Sequence, residues 1–142
     1  MEKVKLQAQY GLYINGEWRN ASDGATYNAE SPADGSHLAI CAQGTREDVE
    51  AASAAAWEAF KTWKKTTPSQ RAALLNKIAD IIDANKEHLA MVESMDNGKP
   101  IRETMNVDIP MAAEHFRYFA GCILAEEGQA SVLNEQFLSI IL

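Results

Sequence analysis

The chain has 142 residues, enough for one domain of ordinary size, and 46% of them are hydrophobic, which is typical of a globular core. Twenty Asp and Glu against thirteen Lys and Arg give a formal net charge of −7, which argues against nucleic acid and anionic membrane surfaces as partners. No apolar run reaches the roughly 20 residues that a membrane span needs, and the N-terminus lacks the apolar core of a signal peptide. The expected location is therefore the cytoplasm.

Two β-hairpins are predicted in the first third of the chain. Their strands are expected at 12–14, 17–18, 26–29 and 37–41. Asn15 and Gly16 separate the first two strands, and this dipeptide predicts a two-residue turn because both positions accept positive φ. The sequence Pro-Ala-Asp-Gly at 32–35 predicts the second turn. Together the strands are expected to form a small antiparallel layer.

Three helical regions are predicted after the strands. The first begins with Thr45 as N-cap, and the acidic Asp48 lies in its first turn, where the helix dipole favours a negative charge. The second begins with a capping box at 67–70 and extends to Asn97 and Gly98, which supply a left-handed C-cap. The third runs from about 101 to 125.

Pro110 lies inside the third helical region, which predicts a kink or a fresh helix start near Asp108. After Gly128 the pattern becomes β-like, with strands at 130–133 and 136–142. Five of the last six residues are apolar, with no turn or cap after them, and this stretch predicts a strand whose partners are missing. This pattern favours a piece of a larger protein.

The cysteines and histidines form no recognisable site. Cys41 and Cys122 are far apart and have no metal-ligand spacing, so reduced and buried thiols are predicted. His37, His88 and His115 fall on separate elements and are predicted to be surface or partly buried residues rather than ligands. The glycines match neither GxGxxG nor GxxxxGK[ST], so no phosphate-binding loop is predicted.

Five short sequences occur in an order and at spacings that are specific in combination, although each is weak alone. They are LYINGEW at 12–18, SPADG at 31–35, TREDV at 45–49, ESMDNGKP at 93–100, and DIP at 108–110 together with HFRYFAG at 115–121. In this combination the chain resembles the N-terminal portion of the aldehyde dehydrogenase superfamily, and the resemblance runs from end to end.

The resemblance implies an α/β fold of the aldehyde dehydrogenase type, represented here by small antiparallel strands, three main helices and the start of a β arm. Residues 1–125 would be the N-terminal part of the cofactor-binding domain, and residues 126–142 the truncated start of the oligomerisation arm. The full-length protein would use NAD or NADP to oxidise an aldehyde to a carboxylic acid. It would form a homo-oligomer.

The resemblance places the catalytic chemistry outside this chain. The family's nucleophilic cysteine, its glutamate base, its oxyanion-binding asparagine and its cofactor-binding units all belong to later parts of the sequence. Neither Cys41 nor Cys122 is therefore assigned the nucleophile's role, and no catalytic or cofactor-binding residue is assigned. The chain alone is expected to be inactive.

One site on this chain is implied by the resemblance, a structural monovalent cation site that some family members carry. Its ligands here would be the main-chain carbonyls of Ala29 and Glu30 and the carboxylate of Asp96. The alternative is that Asp96 only accepts backbone hydrogen bonds around the Gly98 turn.

Two interpretations of the chain are open from the sequence. It is either a scaffolding segment of an active aldehyde dehydrogenase, or a truncated, non-enzymatic module that folds alone or associates with another subunit. The apolar end favours the first interpretation. The reading frame would discriminate between them, because a stop codon after Leu142 supports the second and continuation supports the first.

Overall fold

The computed structural model describes residues 4–141, which form seven strands and five α-helical segments. The strands are β1 Gln9–Tyr10, β2 Leu12–Ile14, β3 Glu17–Arg19, β4 Thr26–Glu30, β5 His37–Ala42, β6 Gln129–Asn134 and β7 Phe137–Ile141. The helices are α1 Arg46–Trp63, α2 Pro68–Ala84, α3 Lys86–Asn97, α4 Ile101–Glu103 and α5 Ile109–Leu124, with a π-helical segment at Thr104–Asp108. Within this described part, no helix has the length and apolarity that crossing a bilayer requires.

The first predicted hairpin is confirmed. Strands β2 and β3 pair antiparallel, with Tyr13 opposite Trp18. Asn15 and Gly16 have φ values of 54° and 83°, which is the pair of positive φ angles of a type I′ turn. The turn dipeptide thus fixes the register of this hairpin.

The second hairpin is also confirmed, but the strands do not join in one layer. Strands β4 and β5 pair antiparallel, whereas β1 pairs parallel with β5 and gives the order β1-β5-β4. The β2–β3 hairpin is a separate two-stranded sheet. The expectation of one antiparallel layer is therefore wrong, since the strands form two separate sheets and one of these includes the parallel strand β1. Strand β1 was not predicted, because two residues are too few to show any alternation.

The predicted second helix ends earlier than expected and is followed by a separate α3. Asn85 has φ −112° and ψ 16°, and its side-chain Nδ2 donates to the Ile81 carbonyl oxygen at 2.8 Å. The Ile81 carbonyl thus accepts from both the main-chain N–H and the side chain of Asn85, and α2 ends where the Asn85 backbone leaves the helical conformation. The two predicted ends are confirmed, since Thr67 makes a capping box with Gln70 and Gly98 adopts φ 77°.

The kink predicted near Asp108 takes the form of the π-helical segment. The N–H of Ile109 donates to the carbonyl of Thr104, five residues earlier, immediately before Pro110. A π-turn is one of the known causes of a sharp helix bend. Thr104 is fully buried and its Oγ1 donates to the Ala90 carbonyl of α3 at 2.9 Å, which ties the π-segment to α3.

The interior of the described chain is built from small residues. The buried hydrophobic residues are Ala21, Ala39, Ala42, Ala72, Ala79, Ala90, Ala113 and Ala120. Helices α2 and α5 form the most extensive helix contact, and Arg117 joins them by ion pairs to Asp80 and Asp83 at 2.8 and 2.7 Å. Large side chains stay at the surface, as Trp57 does with 68% of its area exposed.

The two C-terminal strands are confirmed and pair with each other as an antiparallel hairpin. The expectation that the last strand has no partner is therefore wrong on one edge, because β6 lies there; Leu142 itself lies outside the described residues. The register places Ala130 opposite Ile140 and Val132 opposite Leu138, so these four apolar residues share one face.

Candidate functional site

The two predicted carbonyl ligands lie at an irregular point of the sheet. Ala29 is opposite Ala39, whereas Glu30 is opposite His37, so β5 contributes an extra residue between the two pairs. Such a bulge interrupts the ladder and changes the direction of local main-chain groups. The predicted ligands thus belong to the part of β4 where the ladder is interrupted.

The end of α3 contacts the turn that follows β4. Gly98 adopts the left-handed conformation, and a Cβ built on it would lie 3.0 Å from Pro32 Cγ and 3.7 Å from the Ala33 nitrogen. A larger residue at this C-cap would therefore press on the turn. The structure brings the segment of Ala29 and Glu30 and the segment of Asp96 into one neighbourhood.

Asp96 is exposed in the last turn of α3, where the helix dipole is unfavourable for an anion. Its charge contributes to raising the pKa of Tyr27, a shift caused mainly by Cys41, the cross-strand neighbour of Tyr27. Within residues 4–141 its carboxylate has neither a hydrogen bond nor an ion pair. The charge of Asp96 is thus not balanced by a direct contact.

The cap around Gly98 uses other groups than Asp96. The Lys99 N–H donates to Asn97 Oδ1 at 2.8 Å, and the Gly98 N–H donates to the Ser94 carbonyl at 3.1 Å. The alternative interpretation assigned the Asp96 carboxylate as the acceptor for the N–H groups of this turn. Asn97 Oδ1 and the Ser94 carbonyl accept from these N–H groups instead. The side chain of Asn97, the next residue, fills that role.

Lys99 is the basic residue closest in sequence to Asp96, but its side chain contacts Asp108 and not Asp96. Its Nζ donates to Asp108 Oδ2 at 2.6 Å. This hydrogen bond is the main cause that raises the pKa of Lys99, with smaller contributions from Glu93 and Glu103. The ammonium group is thus directed to the π-segment.

The three predicted ligands have the chemistry that a hard monovalent cation prefers. Two main-chain carbonyls and one carboxylate are all oxygen donors, and together they carry one negative charge. No group of three or more His, Cys, Asp and Glu side chains capable of holding a metal occurs in the described range 4–141.

Asp48 forms a second polar centre that the sequence indicated only through its favourable position in the helix. The side chain is 2% exposed and accepts from the Thr45 N–H at 3.0 Å, the Ser22 N–H at 3.0 Å and Arg19 Nη2 at 2.9 Å. The two N–H groups, aided by Arg19, hold the pKa of this carboxyl far below its usual range against the opposing effect of burial. Its role is structural, since it joins β3 and the following turn to α1.

The cysteines lie apart and have tyrosine neighbours. Cys41 is half-buried on β5, and Cys122 is exposed on α5, so the prediction of a buried thiol is wrong for Cys122. A hydrogen bond with Cys122 raises the pKa of Tyr118, whereas the pKa of Tyr27 is raised first by the charge of Cys41 and then by a hydrogen bond with it. Both thiols are free. The three histidines are exposed, which agrees with the surface positions predicted for them.

Comparison with known proteins gives the class of this scaffold. The sequence profile of the aldehyde dehydrogenase family matches residues 18–141, and the chain therefore belongs to that family. A long-chain-aldehyde dehydrogenase of Acinetobacter sp is 44% identical over 137 residues, which are 96% of this chain and 27% of that protein. An acetaldehyde dehydrogenase of Pseudomonas aeruginosa is 46% identical over 132 residues, 93% of this chain and 26% of that protein.

A solved structure shows the same fold within a longer chain. The NAD⁺ complex of the aldehyde dehydrogenase from Bacillus cereus superimposes with a TM-score of 0.87 at 35% identity, over 93% of this chain and 27% of that one. The chain thus spans about a quarter of the length of the relatives it matches. The α/β fold expected from the resemblance is confirmed.

Proposed function

We propose that the chain is the structural N-terminal part of an NAD- or NADP-dependent aldehyde dehydrogenase, which oxidises an aldehyde to a carboxylic acid. The observation that carries this proposal is the family match over residues 18–141 of a chain that spans about a quarter of its relatives. The Bacillus cereus relative was solved as an NAD⁺ complex, which supports the cofactor class. Relatives named for acetaldehyde and for long-chain aldehydes leave the aldehyde length open.

The proposal assigns different structural roles to two segments of the chain. Residues 1–125 contribute strands and packing helices to the cofactor-binding domain, and residues 126–142 begin the oligomerisation arm of a homo-oligomer. The exposed apolar face of the β6–β7 hairpin supports this role for the arm, since such a face needs a partner surface. A cytoplasmic location belongs to the same proposal.

The chain alone is expected not to oxidise aldehydes. Nucleophilic catalysis needs an activated thiol with a base beside it. Across residues 4–141, the thiols of Cys41 and Cys122 have tyrosine neighbours, and no His or Glu hydrogen-bonds to them. We expect no nicotinamide reduction with a short aliphatic aldehyde. Turnover that survives further purification and disappears on Cys122→Ser would contradict the proposal.

Complementation tests the structural role directly. The chain is co-expressed with the Pseudomonas aeruginosa acetaldehyde dehydrogenase from which the 132 matching residues have been removed. We expect aldehyde-dependent NAD reduction only when both pieces are present, and equal activity with the Cys41→Ser and Cys122→Ser double variant. Failure of the two pieces to associate would contradict the scaffolding role.

We further propose that Ala29, Glu30 and Asp96 hold a monovalent cation in this protein. The uncompensated Asp96 carboxylate and the bulge between Ala29 and Glu30 support the site. Asp96→Ala should abolish a difference in thermal midpoint between sodium, potassium and tetramethylammonium chloride at fixed ionic strength. The control is Asp23→Ala, which removes an equal charge from the turn before β4, where the carboxylate accepts from the Ala25 N–H. Identical midpoints in all three salts for the unsubstituted protein would eliminate the ion.

A further inference from the structure

We infer that Asp108 is a positioning residue for the proposed cation site, because it holds the Lys99 ammonium away from the Asp96 carboxylate. That carboxylate is thereby reserved for an exchangeable monovalent ion instead of a permanent internal ion pair. The inference rests on the cation site proposed above and adds to it a device that keeps the site open.

The Lys99–Asp108 pair is the first observation. Lys99 follows Asp96 by three residues and is separated from it only by Asn97 and the left-handed Gly98. Its Nζ lies 2.6 Å from Asp108 Oδ2, and the Asp108 side chain is 26% exposed. A partly buried pair at this distance is screened less by salt than a fully exposed one. The ammonium group therefore has a defined partner away from Asp96.

The π-segment determines where Asp108 lies. Asp108 is its last residue, and the bond from the Ile109 N–H to the Thr104 carbonyl adds one residue to that turn. An added residue rotates the next helical turn by about 100° relative to an uninterrupted α-helix. The buried Thr104 hydroxyl anchors the segment on the Ala90 carbonyl of α3. The direction of the Asp108 carboxylate is thus built into the fold.

The other carboxylates near Lys99 already have donors. Glu93 Oε1 accepts from Asn97 Nδ2 at 2.5 Å, and Glu103 Oε1 accepts from Arg102 Nη2 at 2.8 Å. Asp96 is the neighbouring carboxylate for which residues 4–141 supply no such donor. If Asp108 loses its charge, the ammonium group is expected to turn to Asp96 and to exclude a second cation by charge.

The test combines two substitutions with two measurements of sodium binding. The measurements are the shift in thermal midpoint between sodium and tetramethylammonium chloride at fixed ionic strength, and the broadening of the sodium-23 NMR line by the protein. Asp108→Asn should lose both signals, Lys99→Gln should keep both, and the double variant should regain them. Asp83→Asn is the matched control, because it removes an equal charge from the Arg117 pair, and it should keep both signals.

The outcomes separate this inference from the proposal on which it rests. Sodium signals that persist in Asp108→Asn would overturn the positioning role and leave the cation site standing. A loss in Asp108→Asn that Lys99→Gln fails to reverse would also overturn it, because the loss would then come from structural damage. An absence of both signals in the unsubstituted protein would overturn the cation site and the positioning role together.

Discussion

At the scale of single residues, Asp48 shows how a buried charge is made stable. Removing a carboxylate from water is costly unless donors replace the lost hydration. Here the backbone of Ser22 and Thr45, both of their hydroxyls and the Arg19 guanidinium supply those donors. The ionised form is therefore favoured in the folded protein, and Asp48 fastens β3 and the start of α1 to each other.

Asp48 should contribute a pH-dependent part of the stability. Its pKa is lowered on folding, so its contribution is fully present above the unfolded-state pKa of about 3.9 and is lost as the pH falls through the folded-state pKa. We expect Asp48→Asn to unfold at lower urea concentration than the unsubstituted protein at pH 7. The gap should be constant down to about pH 5 and should shrink below pH 4.

The control for this prediction is Asp23→Asn, an exposed aspartate that accepts from the Ala25 N–H. It removes the same charge and should leave the pH 7 midpoint nearly unchanged. A gap between Asp48→Asn and the unsubstituted protein that widens with acidification would reverse the sign of the argument and disprove it.

At the scale of elements, the end of α3 depends on one glycine for two reasons. Gly98 has φ 77°, where a side chain costs about 1–2 kcal/mol. Its missing Cβ also leaves room for Pro32 Cγ, which would otherwise lie 3.0 Å away. Gly35 has a similar φ of 69° but open space around it. Comparing substitutions at the two glycines therefore distinguishes the cost of backbone strain from the cost of a steric contact.

Gly98→Ala should destabilise the protein more than Gly35→Ala. Both substitutions place a side chain on a residue in the left-handed conformation, which costs roughly 1–2 kcal/mol of stability, and both reduce the entropy of the unfolded chain. Only Gly98→Ala presses on the proline ring, which moves only if the turn after β4 moves. Chemical denaturation of both variants measures the difference. Equal losses of unfolding free energy would show that α3 does not contact that turn.

At the scale of the whole molecule, the described chain leaves much apolar surface exposed. Val132, Leu138 and Ile140 share one face of the terminal hairpin and are 77%, 59% and 57% exposed. Within residues 4–141, β6 and β7 pair only with each other, so each has an open edge. An open edge next to an exposed apolar face favours pairing with another chain.

The isolated chain should therefore self-associate through this hairpin. Ile140→Lys, or removal of residues 136–142, should reduce the mass measured by light scattering at high concentration. Val49→Lys is the matched control, since Val49 is 66% exposed on α1 and lies away from the hairpin in sequence. A monodisperse monomer with the hairpin intact, or an equal effect of Val49→Lys, would count against association through the hairpin.

The sequence alone determined those features whose causes are local. The Asn15-Gly16 turn, the capping box of Thr67 with Gln70, and the left-handed Gly98 all follow from the conformational preferences of one to four residues. The family was also evident, because its motifs are short sequences in a fixed order. Ligand identities at the cation site stay a prediction from that resemblance.

The tertiary structure decided the features that depend on neighbours distant in sequence. The parallel pairing of β1 with β5 joins residues about 30 positions apart and leaves no periodic signal. The break at Asn85 is a change of backbone dihedral angles, and the π-segment before Pro110 is a main-chain hydrogen bond shifted by one residue. Helical spacing in the sequence reveals neither. The Asp48 centre and the Lys99–Asp108 pair exist because separate elements bring charges together, and charge pairing of this kind is a property of the fold.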